Sequence, residues 1–79
     1  MIKAYILTTL QPGKSDSAVD EMRKIKNVDS ISIVAGEYDV ILRVQVKSLE
    51  NLMKLTNKLQ MIDGIKRTTT QVIEKEITL

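Results

Sequence analysis

Two short stretches of the 79-residue chain hold the residue types that could do chemistry. The first is Gly36-Glu37-Tyr38-Asp39. Its backbone N–H groups can bind a carboxylate, and Glu37 or Asp39 can accept from an ammonium group. An α-amino acid carries both charges close together and would satisfy that combination. The second stretch is Thr68-Thr69-Thr70, three hydroxyls that each donate and accept. Both have an ordinary structural reading as well. Gly beside an acidic residue is common hairpin chemistry, and Thr favours a half-exposed strand. Neighbouring strand residues point to opposite faces, so at least one of the three threonines must face away from the others.

Other chemistries lack their residues. The chain has no Cys and no His, which removes disulfides, the usual zinc and transition-metal ligand sets, and every triad or dyad built on imidazole or thiolate. Gly13, Gly36 and Gly64 form neither a dinucleotide fingerprint nor a phosphate loop, so no cofactor and no metal is expected. The 12 Lys and Arg against 10 Asp and Glu give a net charge of +2 with no long run of either sign. Strong nonspecific nucleic-acid binding needs a concentrated basic surface. Two Tyr and no Phe or Trp also argue against base stacking of the RNA-recognition kind. No apolar run approaches the roughly 20 residues of a membrane span, and a cytoplasmic protein is expected.

The elements that must position the two stretches follow from hydrophobic periodicity. Ile2 to Leu10 reads as a strand with Ala4, Ile6 and Leu10 on one side and Tyr5 and Leu7 on the other. Pro12-Gly13 closes it, and Ser15 or Asp16 is expected to cap a helix carrying Ala18, Val19, Met22 and Ile25, with Asn27 as its stop. Val28 to Ala35 is a second strand with Ile31 and Ile33 inward. A turn at Gly36-Glu37 leads into a third, Tyr38 to Val46, whose Val40, Leu42, Val44 and Val46 alternate with Ile41, Arg43 and Gln45. Ser48 is expected to cap a second helix with a Leu52, Leu55, Leu59 and Ile62 stripe, ended by Asp63-Gly64. Ile65 to Leu79 is read as a long last strand.

Strand–helix–strand twice over defines an α+β, ferredoxin-like βαββαβ sandwich in a single domain, residues 1–79, with one antiparallel four-stranded sheet. The first and third strands are central, and both helices lie on one face. Tyr5, Leu7, Val34, Ile41 and Ile73 do not all fit on that face, so the other is partly apolar. A small domain without disulfides or metals is expected to associate, here sheet to sheet as a homodimer, a dimeric α+β barrel. The last strand is expected to reach the partner.

The combination of these segments resembles the effector-binding (RAM) domain of the Lrp/AsnC transcriptional regulators. The resemblance rests on Ala4-Tyr5-Ile6-Leu7, Pro12-Gly13-Lys14, Val28 after an amphipathic helix, and Gly36-Glu37-Tyr38-Asp39 running into Val40 to Val44. Ile62-Asp63-Gly64-Ile65-Lys66-Arg67-Thr68-Thr69-Thr70 matches that domain's Gly-Val-x-x-Thr-x-Thr strand. It implies dimers, often assembled four to a ring as octamers, with an amino-acid effector bound between dimers. It also implies ligand contacts from Gly36, Glu37, Tyr38 and Asp39 and from Thr68, Thr69 and Thr70. Gly36 and Glu37 would offer backbone groups, Asp39 would face the ammonium, and the threonines would supply hydroxyls.

Members of that family normally begin with a helix-turn-helix, whereas this sequence opens at the first sheet strand. The expectation is therefore a stand-alone sensing domain that is not an enzyme and has no catalytic residue. It would modulate transcription or amino-acid metabolism without binding DNA directly, acting with a full-length Lrp/AsnC regulator as partner. The rival readings are a small dimeric α+β barrel enzyme using Tyr5, Tyr38 or a carboxylate, and an assembly module with no ligand.

Overall fold

The computed structural model describes residues 1–79. The order is β1 (Ile2–Leu10), α1 (Ser15–Met22), β2 (Val28–Ile33), β3 (Val40–Val46), α2 (Leu49–Gln60) and β4 (Ile65–Val72). The strands form one sheet in the order β2-β3-β1-β4, every neighbouring pair antiparallel. This is the βαββαβ architecture read from the periodicity, with β1 and β3 central.

One face of the sheet meets the helices. Ala4, Ile6 and Leu10 of β1 and Val40, Leu42, Val44 and Val46 of β3 join Ala18, Val19 and Met22 of α1 and Leu52, Leu55 and Leu59 of α2 in a single buried cluster. Burying each large side chain of this set contributes about 1.5–3 kcal/mol. Thr8 sits in the same row with no exposed surface, and its Oγ1 donates to the Val40 carbonyl at 3.0 Å. The hydroxyl is thereby satisfied inside an apolar layer.

The local devices differ from expectation in several places. Neither Ser15 nor Asp16 caps α1: Lys14 occupies the N-cap position without a side-chain cap bond, and Ser17 Oγ donates back to the Lys14 carbonyl at 3.1 Å. The helix proper ends at Met22, ahead of Asn27, which adopts a left-handed φ of 71°. Asn tolerates that conformation, and its carbonyl accepts from Gln45 N at 3.0 Å, which anchors the start of β2 against β3. Ser48 does cap α2, accepting from Asn51 N at 3.1 Å. Gly64 precedes β4 with φ 101°, and a Cβ there would lie 2.8 Å from that of Lys14, so glycine is required.

Strand ends also moved. β2 stops at Ile33 and β3 starts at Val40, so the connection spans 34–39 and is wider than a tight hairpin. Ile31 packs on the core, but Ile33 is 75% exposed, because it lies at the end of an edge strand beyond the cover of the short α1. β4 ends at Val72 and not at Leu79. It runs antiparallel to β1, Val72 already pairs with Ala4, and β1 begins at Ile2. Lys3 and Ile2 of β1 lie beyond that pair, but only Ile73 N still donates to β1, at the Lys3 carbonyl, 2.9 Å, before the chain leaves the sheet edge.

Candidate functional site

The register places the two expected binding segments at one end of the sheet. Thr8 pairs with Val40 on one side and with Thr68 on the other. The 34–39 turn and the start of the threonine run therefore flank the end of β1, two strand spacings or roughly 10 Å apart. Within the turn, Val34 N donates to the Asp39 carbonyl at 3.0 Å, and Asp39 N donates to the Thr8 carbonyl at 2.9 Å. The backbone N–H groups of residues 35–38 have no acceptor within the chain. Gly36 and Glu37 are exposed, and Tyr38 is half-buried.

Asp39 is already engaged. The register of β1 against β4 shifts between Thr9 and Leu10, and Asp39 Oδ2 accepts from Leu10 N at 2.7 Å. A carboxylate accepting a backbone N–H makes a charge-assisted bond stronger than a neutral one. The side chain thus ties the turn to the end of β1, which leaves only its second oxygen for anything else.

The threonines divide between the faces. Thr68 and Thr70 lie opposite Thr8 and Ile6 on the helix side, whereas Thr69 lies opposite Leu7 on the open side. Thr68 Oγ1 accepts from Gln60 Nε2 at 3.1 Å. A ligand on one chain cannot meet all three hydroxyls. No concavity of the single chain is lined by residues 36–39 or 68–70.

The open face of the sheet is the second notable surface. Tyr5, Leu7, Ile41 and Gln71 surround a shallow hollow of about 360 Å³ with an apolar lining. Beside it lies a polar cluster that periodicity did not single out. The Arg43 guanidinium lies 5.5 Å from the Tyr5 ring centroid, and Nη1 donates to Tyr5 Oη at 2.9 Å. Arg43 also grips Glu76 through both nitrogens, with Nη1 to Oε2 at 3.1 Å and Nη2 to Oε1 at 3.2 Å, while Lys3 Nζ stands 3.9 Å from Oε1. Hydrogen bonding to Arg43 and its positive charge hold the Glu76 carboxyl below the ordinary glutamate value, and the same contact raises Arg43. The signal was present in the sequence as an arginine in the middle of a central strand, a position that demands a partner. The partner itself, 33 residues away, could not be read from spacing.

The fold and these surfaces define a small α+β sandwich with one face covered by its own helices and one left open. Residues 3–78 match the family described as the Lrp/AsnC ligand binding domain, and the chain belongs to that family. It is 37% identical over 73 residues to an uncharacterized HTH-type transcriptional regulator of Pyrococcus horikoshii, covering 91% of this chain and 46% of the relative. The chain spans about half the length of the curated relatives it matches. A hypothetical protein from P. horikoshii of known structure superposes with a TM-score of 0.84 at 28% identity, covering 96% of this chain and 93% of that one. A feast or famine regulatory protein from M. tuberculosis, complexed with L-methionine, superposes with a TM-score of 0.84 at 28% identity over 100% of this chain and 54% of that one. Residues 3–78 form a ligand-binding domain of the Lrp/AsnC type.

Proposed function

We propose that this chain is an amino-acid-binding regulatory module that associates through its open sheet face and modulates transcription or amino-acid metabolism without chemical turnover. The observation that carries the reading is the register that sets the 34–39 turn and Thr68 at the same end of the sheet, in a chain that matches the ligand-binding family from residue 3 to 78. The free backbone N–H groups of residues 35–38 suit an α-carboxylate, and the second oxygen of Asp39 and the threonine hydroxyls suit an α-ammonium group. Because no single-chain concavity contains these groups, the site is completed by a neighbouring subunit.

The partners in this reading are a second copy, a larger ring such as four dimers, and a full-length Lrp/AsnC regulator. No helix is long and apolar enough to cross a membrane, in keeping with action in the cytoplasm. Calorimetric titration with each of the twenty amino acids, alongside light scattering, tests the proposal. Saturable binding of one or a few, with a change in assembly size, is the expected result. Absence of heat with every amino acid and an unchanged assembly would remove the ligand from the reading. One observation favours that second reading, a ligand-free assembly module: Asp39 and Thr68 already have partners inside the chain.

A further inference from the structure

The open face carries a charge that an associating surface must deal with. Arg43 projects from the central strand β3 beside the apolar hollow, its side chain 28% exposed. A second sheet packed over it, at about 10 Å, would take the guanidinium out of water. Burying an unpaired ion is strongly unfavourable.

The counter-charge comes from beyond the sheet. Past Val72 the chain leaves the ladder, is held once by Ile73 N on the Lys3 carbonyl at 2.9 Å, and then turns over the open face. Glu76 thereby reaches Arg43 across both oxygens at 3.1 and 3.2 Å. The two-point match of guanidinium and carboxylate is the strong, oriented form of this pair. Tyr5 completes it by accepting from the same guanidinium.

We propose that residues 73–76 form a strap belonging to the association surface, in which Glu76 neutralises Arg43 so that a second copy of this chain can pack sheet on sheet. The inference rests on the reading above that the open face takes a second copy, and it adds the residue that makes such packing tolerable. The choice of a second copy follows from symmetry. In a two-fold contact each patch meets the same patch of its partner, so an uncompensated Arg43 would be buried against a surface carrying the same positive charge. Glu76 pairs the Arg43 charge inside each chain, with the more exposed Lys3 standing 3.9 Å from its Oε1, and that internal pairing suits self-association. A face meant for an acidic partner would instead leave Arg43 free to pair across the interface.

Sedimentation equilibrium on the full chain tests this, with circular dichroism to confirm folding. The wild type is expected to dimerise, and Glu74→Gln, which removes a neighbouring charge outside the pair, is expected to match it. Glu76→Gln is expected to weaken the dimer about thirtyfold or more, the usual scale for stranding one member of a buried charge pair. The double variant Arg43→Met with Glu76→Gln removes both charges and is expected to recover most of that loss. Wild-type affinity in Glu76→Gln, or no recovery in the double variant, overturns the strap while leaving the dimer face standing. A wild type that stays monomeric at its highest soluble concentration overturns the dimer face and the strap together.

Discussion

Asp39 has an observed role beside the one proposed for it. As a residue of the expected effector site it belongs to the turn, yet its Oδ2 takes the Leu10 N–H at 2.7 Å where the β1–β4 register shifts. Removing an acceptor from a partly buried N–H costs about 1–3 kcal/mol. Asp39→Ala is therefore expected to lose stability on that scale in urea denaturation. Asp39→Asn keeps a carbonyl acceptor and loses clearly less. If binding of an amino acid needs the carboxylate charge as well, Asp39→Asn separates the two roles, since its fold survives while the ammonium contact weakens. Equal stability of Asp39→Ala and wild type would show that the Leu10 bond contributes nothing. Thr8 shows the opposite case, a polar residue with a wholly internal role, its hydroxyl spent on Val40.

At the scale of elements, the two helices begin differently although each has a serine at its start. Ser48 has the extended backbone of an N-cap and receives Asn51 N, while Ser15 lies inside α1 and makes no cap bond. Ser48→Ala is expected to cost about 1 kcal/mol, as loss of an N-cap does. Ser15→Ala is expected to leave the urea midpoint nearly unchanged. A reversed order would contradict the cap assignment. The strands follow the same logic of available partners. β3 is flanked on both sides and keeps a strict alternation of buried and half-buried residues from Val40 to Val46. β2 and β4 are edges with a neighbour on one side only, and each is shorter than its β-prone sequence.

For the whole molecule, the decisive asymmetry is between the two faces of the sheet. One is closed by α1 and α2 over the single core cluster; the other carries Tyr5, Leu7 and Ile41 without cover from its own chain. A domain of this size buries a modest fraction of its surface alone, and covering the second face supplies more. Ile41→Lys places a cation on the open face without touching the helix-side core. It is expected to abolish association while the monomer keeps its helical and sheet signals. Light scattering on the variant and the wild type checks this, and an Ile41→Lys variant that assembles like the wild type would move the interface elsewhere.

The topology was legible because each of its pieces is a local pattern. Period two in Val40 to Val46, helical spacing in Leu52, Leu55 and Leu59, and breaks at Pro12-Gly13 and Asp63-Gly64 depend on neighbours within a few residues. The alternation of the threonines is of the same kind, and Thr69 does face away from Thr68 and Thr70. The candidate site was only half legible. Its segments could be named, but that Asp39 is tied to Leu10, that Thr68 is tied to Gln60, and that both segments flank one end of β1 follow from sheet register.

By itself, then, the sequence determined which segments become strands and helices, in which order, and which side of each turns inward. Tertiary structure decided where strands stop, why Ile33 lies open while Ile31 is covered, and that the residues after Val72 return over the sheet to set Glu76 on Arg43. The physical reason is separation along the chain. Periodicity registers the environment of one segment, whereas a strand's end, an edge residue's exposure and an ion pair depend on partners that only the folded chain brings alongside.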